Sequence, residues 1–496
     1  MFEKKLLAGA VLALAYAQAA DAQPGPTLDG LLQKIQELER RDAEKQRQIE
    51  ALQQRLQTPQ APATPPAAAA ASQAEAAPPP TAQVAQPPVT EPQSLDPVQS
   101  PGLTPYPVPG LGSGTVTAGT AFNPAISMIL DGVYYHDDRG GEIPEADGFH
   151  APAADGHDHG GELDRGFNLR ETEIVLSAAV DPYLDATAIL SVSKEGARVE
   201  EAYGSTRRLP AGLQLKFGKF YSDIGYINKQ HPHQWDFVDQ ALPYQALFGG
   251  SLNETGVQLS WLPDSPFYTR LGVEVLQGEN PGAANYLGPD ADPAFSRKAG
   301  PRLVTAFAKF SPDLGYNHAL QAGLFGGRGF KHQELDEGAA LDGDTWFAGT
   351  DWVYKYDSPR SFGQGDLTLQ GEYLYRVKDL TVRSDPADPA LLGQGRRFSQ
   401  DGFYVQGVYG FAPRWTSALR FDTVGLANRL QAGTETSSLD DSRRWSANLT
   451  WNPTEFSRFR LQYARGDYAV SGARERFNQI FLQYQLSLGV HGAHKF

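Results

Sequence analysis

Residues 479–496, QIFLQYQLSLGVHGAHKF, decide the fold class of this chain. From Gln479 onward, apolar side chains alternate with mostly polar ones, which is the period of a β-strand with one apolar face. The apolar positions are Ile480, Leu482, Tyr484, Leu486, Leu488 and Val490. The alternation lasts for about a dozen residues, which is long enough for a tilted strand to cross a bilayer. We therefore interpret this stretch, which ends on Phe496, as the closing strand of a transmembrane β-barrel.

The composition fits a barrel and excludes several other classes of protein. The formal net charge of −15 is unlike the basic footprint of a nucleic-acid binder, so we predict no nucleic-acid partner. The chain has no cysteine, which excludes disulfides and thiolate chemistry. Its 51 Gly and 21 Tyr are typical of curved strands and interfacial girdles. A mean hydropathy of −0.41 argues against a helical membrane protein.

Three segments precede the predicted barrel. Residues 1–22 have the charged, apolar and small-residue regions of a secretory signal peptide. Residues 23–57 place apolar side chains at heptad a and d positions, which predicts a short periplasmic coiled coil; a single amphipathic helix is the alternative. Residues 58–114 are rich in Pro and Ala, as in a flexible linker. A spacer in contact with peptidoglycan is the alternative for this segment.

Residues 120–496 contain about sixteen alternating segments separated by turn residues. Their connectors alternate between tight turns, such as 181–183 and 412–414, and longer polar loops, such as 136–166 and 379–400. We predict an all-β fold, a transmembrane antiparallel up-and-down β-barrel of about 16 strands preceded by the coiled coil. Short turns face the periplasm in such barrels, so the N-terminal region is expected there too. The expected location is the outer membrane of a Gram-negative bacterium, in contact with its lipid.

Strand parity predicts which charged side chains line the pore. They are Glu171, Glu173, Asp185, Glu372, Arg376, Lys378, Arg420, Arg444, Arg458 and Arg460. An acidic patch and a basic ladder on separated walls would set up a transverse field that selects solutes by charge and orientation. Mutual neutralisation within the wall is the alternative. Because both signs are present, the charge preference of the pore stays open.

The segment 222–253 is the predicted constriction loop. It is long and carries its own apolar residues, among them Trp235, and such loops fold inward more often than they extend into water. The residues expected at the constriction are His231, His233, Trp235, Asp236 and Asp239.

The first outer loop is a weaker candidate, for metal capture. Its donor residues are His136, His150, Asp155, His157, Asp158 and His159. Imidazole and carboxylate groups suit zinc, nickel or copper, although this spacing matches no closed tetrahedral motif. A solvated polar loop is the alternative. Zinc is therefore considered as a ligand or a transported ion, and no resident cofactor is predicted.

Four stretches, two of which overlap, carry a resemblance to known families. FNPAISMILDGVYY (122–135), FGKFYSDIGYINKQHPHQWDFVDQALPY (217–244) and GVEVLQGEN (272–280) resemble proteins labelled zinc-regulated TonB-dependent outer-membrane receptors. LQLKFGKFYSDIGY (213–226) looks like a segment of phosphate-selective-type porins, which are trimers with an N-terminal coiled coil. The resemblance implies an outer-membrane location, a homotrimer and a role in zinc supply.

The segment before the barrel separates two functional interpretations. TonB-dependent receptors contain a globular plug and about 22 strands, whereas residues 23–114 show no plug-like pattern. We therefore predict a porin for small solutes, with zinc or another divalent metal among them, constricted by the loop 222–253. The alternative is a metal-binding outer-membrane receptor. No enzyme is expected, because the chain has no Gly-x-Ser-x-Gly elbow and no ordered triad.

Overall fold

The computed structural model describes residues 125–139, 143–149, 163–194, 196–297, 300–336 and 338–489. The predicted signal peptide, coiled coil and linker (1–114) lie outside the described residues, as does the end of the chain from 490 to 496. The strands are β1 (Ala125–Asp137), β2 (Gly166–Ala179), β3 (Leu184–Ser193), β4 (Gly196–Thr206), β5 (Leu213–Tyr221), β6 (Asn253–Trp261), β7 (Tyr268–Leu276), β8 (Leu303–Ser311), β9 (His318–Asp336), β10 (Ala339–Tyr356), β11 (Leu367–Ser384), β12 (Gly395–Ala412), β13 (Trp415–Ala432), β14 (Glu435–Ser438), β15 (Ser442–Thr454), β16 (Ser457–Val470) and β17 (Ala473–Gly489).

The strands close into one antiparallel barrel. Neighbours along the chain pair with each other, and β1 pairs with β17, with Tyr134 opposite Leu482. The short β14 pairs with the last residues of β13, while β13 pairs directly with β15 along the wall. The wall therefore has sixteen strands, which confirms the predicted antiparallel barrel. In the described part of the chain each wall strand pairs with a neighbour on both sides, as a hydrocarbon environment requires.

The outer face of the wall is apolar. In β17 the outward side chains are 40–55% exposed, whereas Phe481 and Gln483 between them are buried. Large aromatic residues are exposed in the same way on other strands, at Trp346, Trp352, Tyr409, Phe411, Trp445 and Trp451. An apolar surface this extensive is unfavourable in water, but it matches the lipid-facing band and aromatic girdles of a membrane barrel.

The strands extend further than the sequence pattern predicts. Within the predicted loop 379–400, β11 continues to Ser384 and β12 begins at Gly395. Lys378 lies opposite Phe398 in this extension. The prediction of a long loop was wrong here because the ladder continues where the polar residues begin, which keeps backbone groups hydrogen-bonded.

The described residues also contain one α-helix, α1 (Leu242–Phe248), and four short 3-10 turns. Helix α1 begins with a proline at its first turn and ends at Gly249, whose left-handed conformation is typical of a C-terminal cap. None of the helices in the described ranges has the length and apolar character needed to span a membrane.

The hydrophobic core lies inside the barrel, where two connections pack against the wall. The connection 222–252 joins β5 to β6 and buries most of its apolar side chains, and Phe248 meets Phe347 of β10 with ring centroids 5.0 Å apart. The connection 277–302 joins β7 to β8 and packs against the first, with Asn280 donating to the carbonyl of Phe248 at 2.9 Å. Both connections therefore occupy the lumen.

Candidate functional site

The connection 222–252, which we call the inner loop, is held by the predicted basic ladder. Four arginines donate to its carbonyl oxygens: Arg420 to Asp239 (2.9 Å), Arg444 to Gln240 (2.6 Å), Arg458 to His233 (3.0 Å) and Arg460 to Trp235 (3.0 Å). A guanidinium group presents several donors in a rigid plane, so each arginine fixes one point of the loop backbone. The four arginines thus lie on the inner side of the wall and hold the loop.

Asp239 is the loop carboxylate that these arginines surround. Its Oδ2 lies 2.9 Å from both Arg420 Nη2 and Arg444 Nη1, and its Oδ1 accepts from Gln462. Burial raises the pKa of Asp239, but the two guanidinium groups outweigh burial and hold the pKa below its ordinary value of 3.8. The buried network is completed by Asp422, which accepts from the backbone N–H of Leu242 at 3.0 Å.

Four further predicted pore-lining residues, Asp185, Glu372, Arg376 and Lys378, are buried and have partners. Glu372 accepts from Tyr244 and Tyr404 (2.7 and 2.6 Å) and from the N–H of Ile227 (2.8 Å). The others pair as follows: Arg376 with the carbonyl of Leu247, Lys378 with Glu334, and Asp185 with Arg207. Of the other predicted loop residues, Trp235 is buried, and Asp236 accepts from Gln406 at 2.8 Å.

An acidic cluster lies on β2 and β4. The period-2 pattern of β2 turns both Glu171 and Glu173 inward. In β4 the register shifts by one residue, because Ile189 pairs with Glu201 whereas Leu190 pairs with Val199. This β-bulge at Glu200 lets two consecutive glutamates, Glu200 and Glu201, face the lumen. Only β17 and β1 separate β2 from β16 of the basic wall.

Two loop histidines project into the acidic cluster. His231 Nδ1 lies 3.1 Å from Glu173 Oε2 and 3.4 Å from Glu200 Oε2, and His231 Nε2 lies 2.7 Å from Glu201 Oε1. His233 Nδ1 lies 3.1 Å from the same Glu173 oxygen. We call the set of Glu171, Glu173, Glu200, Glu201, His231 and His233 the Glu–His cluster.

The Glu–His cluster creates a strongly negative potential. Burial lowers the pKa of His231, but the attraction of Glu173 and Glu200 outweighs burial and raises the pKa well above its ordinary value of 6.5. Tyr221 also donates its hydroxyl to Glu200, and its ring meets the His231 ring edge-on. The cluster is therefore suited to hold a cation.

The other predicted metal donors are not placed with this cluster. His136 lies on β1 and is exposed on the outward face, beside Tyr134. The donors His150, Asp155, His157, Asp158 and His159 lie outside the described residues.

Sequence reasoning missed Glu200, Glu201 and the second inner connection 277–302. The signal for the glutamates was available, because two adjacent charged residues in a strand break the alternation and indicate a bulge.

Comparisons with known proteins show where the chain belongs. No family model matches it. It is 37% identical over 392 residues to an uncharacterized protein of Aquifex aeolicus (strain VF5), and the match covers 76% of this chain and 80% of that protein. The chain belongs to the same family as the Aquifex protein. The match covers about three quarters of the chain and is therefore much longer than a short motif.

Three solved structures are similar to the chain at the level of the fold. OmpT, an outer membrane protein of Vibrio cholerae, is 12% identical, with a TM-score of 0.45, and the match covers 76% of this chain and 100% of that chain. The outer membrane channel DcaP of Acinetobacter baumannii is 14% identical, with a TM-score of 0.49, and the match covers 74% of this chain and 97% of that chain. An anion-selective porin from Comamonas acidovorans is 10% identical, with a TM-score of 0.44, and the match covers 74% of this chain and 100% of that chain. None of the three is described as a TonB-dependent or zinc-regulated receptor.

Proposed function

We propose that the protein is a diffusion channel of the bacterial outer membrane for small solutes, and that the inner loop narrows it. A barrel of sixteen strands is wide enough to enclose an aqueous channel unless loops occupy it. The observation that carries the proposal is the position of the inner loop, which bonds to inward side chains of β2, β4, β11, β13, β15 and β16. A loop attached at so many points restricts passage to small solutes.

Planar-bilayer recording tests the proposal. Tyr221 and Asn253 are directly paired across β5 and β6, so a short Gly/Ser turn can replace residues 222–252 without disturbing the ladder. We expect the unchanged protein to give small ohmic steps and the loop-replaced barrel to give larger ones. The absence of ohmic steps from both proteins would refute the channel.

A homotrimer is part of the proposal and rests on the heptads of residues 23–57. Deleting this segment should convert the oligomer into folded monomeric barrels, measured by light scattering in detergent. A trimer of unchanged stability after the deletion would show that residues 23–57 do not hold the trimer together. Residues 58–114 would then serve as a periplasmic linker or a peptidoglycan contact.

The second candidate function is a metal-binding outer-membrane receptor, and the Glu–His cluster favours it. A receptor would retain zinc or another divalent metal tightly and give no ohmic conductance, whereas a channel for the same ion would conduct. Recording with and without added zinc therefore separates the two functions.

A further inference from the structure

We propose that the Glu–His cluster binds one divalent transition-metal ion, which ties the inner loop to β2 and β4. The ligands come from three separate parts of the chain: β2, the bulge of β4 and the 3-10 turn at 232–234 with its preceding residue. The inference concerns binding alone, so it holds or fails independently of conduction through the barrel.

The spacing of the donor atoms matches that of metal ligands. Bonds of about 2.0–2.1 Å in a tetrahedral zinc site place neighbouring ligand atoms roughly 3.4 Å apart. In the cluster, the distances from His231 Nδ1 to Glu173 Oε2 and Glu200 Oε2 are 3.1 and 3.4 Å, and that from His233 Nδ1 to Glu173 Oε2 is 3.1 Å. The donors form two overlapping groups of three, Glu171–Glu173–His233 and Glu173–Glu200–His231, and one ion can occupy either group. Within each group the ligand atoms lie within 4.8 Å of one another, and both groups contain Glu173. Glu173 is therefore the central ligand.

The hydrogen bond of His231 sets the tautomer that a metal requires. When Nε2–H donates to Glu201, the lone pair of Nδ1 faces Glu173 and Glu200. A lone pair and a carboxylate oxygen repel each other at this distance, so either a proton on Nδ1 or a metal ion that displaces this proton lies between them. Histidine ligands of metals commonly donate their second N–H to a carboxylate in this way. Glu201 is thus a positioning residue rather than a ligand.

Charge balance favours a divalent cation over a proton alone. When all four glutamates are ionised and both imidazoles are protonated, the six side chains carry a formal charge of −2, which Arg170 offsets only in part. Glu171 is buried, and its Oε1 has no hydrogen-bond donor in the described part of the chain. The neighbouring Arg170 is engaged by Asp131 and by the carbonyl of Val238. Uncompensated buried carboxylates are costly, and bound divalent ions commonly offset that cost.

The donor set also limits the identity of the ion. Magnesium and calcium take oxygen ligands, whereas mixed imidazole and carboxylate donors suit zinc, cobalt, nickel and copper. Zinc and cobalt(II) are therefore the probes.

Calorimetric titration of the full chain in detergent, after chelator treatment, tests the site with zinc. We expect the unchanged protein to bind one equivalent that Glu173→Gln and the His231→Gln/His233→Gln pair lose. Glu201→Gln should retain it with about 10- to 100-fold weaker affinity. His332→Gln is the matched control, because His332 is equally buried and pairs with Glu334 at 3.1 Å on β9. This control should bind zinc like the unchanged protein.

The folding of each variant is checked by the heat-dependent gel mobility of the barrel. The visible absorption spectrum of bound cobalt(II) tests the site in the unchanged protein. Four- or five-coordinate cobalt(II) with nitrogen and oxygen ligands absorbs more intensely than the hydrated ion. Equal zinc stoichiometry in the unchanged protein and Glu173→Gln would overturn the proposal. A cobalt spectrum like that of the hydrated ion would overturn it too.

Discussion

Replacing Asp239 with alanine should release the inner loop from the basic wall. The Asp239 carboxylate joins Arg420 and Arg444, each at 2.9 Å, and the side chains of both arginines are at most 5% exposed. Removing one member of a buried ion pair costs about 3–5 kcal/mol when the partner charge is left buried without compensation. This range is an upper limit here, because Asp422 still pairs with Arg420 at 2.9 Å and with Arg444 at 3.4 Å. At about 1.4 kcal/mol for each factor of ten, the docking equilibrium therefore shifts by at most roughly 100-fold to a few thousand-fold.

Single-channel conductance in a planar bilayer measures this shift. We expect Asp239→Ala to show larger steps than the unchanged protein, or frequent transitions between the small and the large step. Asp344→Ala is the control, because Asp344 pairs with Arg328 at 3.0 Å on the exposed surface, where ion pairs contribute little. It should conduct like the unchanged protein.

Two outcomes of this measurement would contradict the expectation. If Asp239→Ala unfolds at lower denaturant concentration but its conductance equals that of the unchanged protein, the inner loop does not limit passage. Unchanged conductance together with unchanged stability would instead show that the Asp239 ion pairs do not hold the loop.

Three further predictions follow from the described contacts. Because the folded pKa of Asp239 lies below 3.8, its carboxylate stabilises the docked loop above pH 3.8, and this stabilisation is lost as the pH falls through the folded pKa. The conductance should therefore increase as the pH falls through the folded pKa of Asp239. A conductance that stays small throughout this range would contradict the prediction. Gly225→Ala should raise the conductance and lower the free energy of unfolding by about 1–2 kcal/mol or more, since Gly225 has a φ of 60° and an added Cβ would collide with the Tyr244 hydroxyl. Gly315→Ala is the control, because Gly315 also has a positive φ but an added Cβ there meets open space. The control should leave the conductance unchanged. Leu449→Arg, on the outward face of β15, should destabilise the barrel in lipid by about 2–4 kcal/mol. Urea unfolding in vesicles measures this loss. An unchanged unfolding midpoint would place Leu449 outside the bilayer.

The fold could be predicted because the period-2 pattern is local. Each strand shows on its own which face meets lipid, as Ile480 and Phe481 do in β17, and the antiparallel order then follows from short connectors. Strand ends were less predictable, since polar residues alternate both in loops and in strands that extend beyond the apolar band.

The candidate site was only partly predictable. Parity placed Glu173 and Arg420 on the inner face, but the sequence does not show that Arg420 binds a loop carbonyl from a residue 181 positions away. Strict parity also sends either Glu200 or Glu201 toward lipid, and only the bulge brings both inside. Long-range contacts and register shifts therefore determine the part of the site that a one-dimensional pattern does not contain.

The inner loop has a consequence for the order in which the barrel assembles. Tyr244 reaches its partner Glu372 across 128 residues of chain, and Trp235 reaches Arg460 across 225. The loop is translocated before β11, β13 and β16, so its apolar side chains have no wall to pack against when they enter the periplasm. Burial of Trp235 must therefore wait until the last strands have been added, and closing the wall and filling its interior become one late step of biogenesis. A loop variant that cannot dock should accordingly slow the maturation of the whole protein.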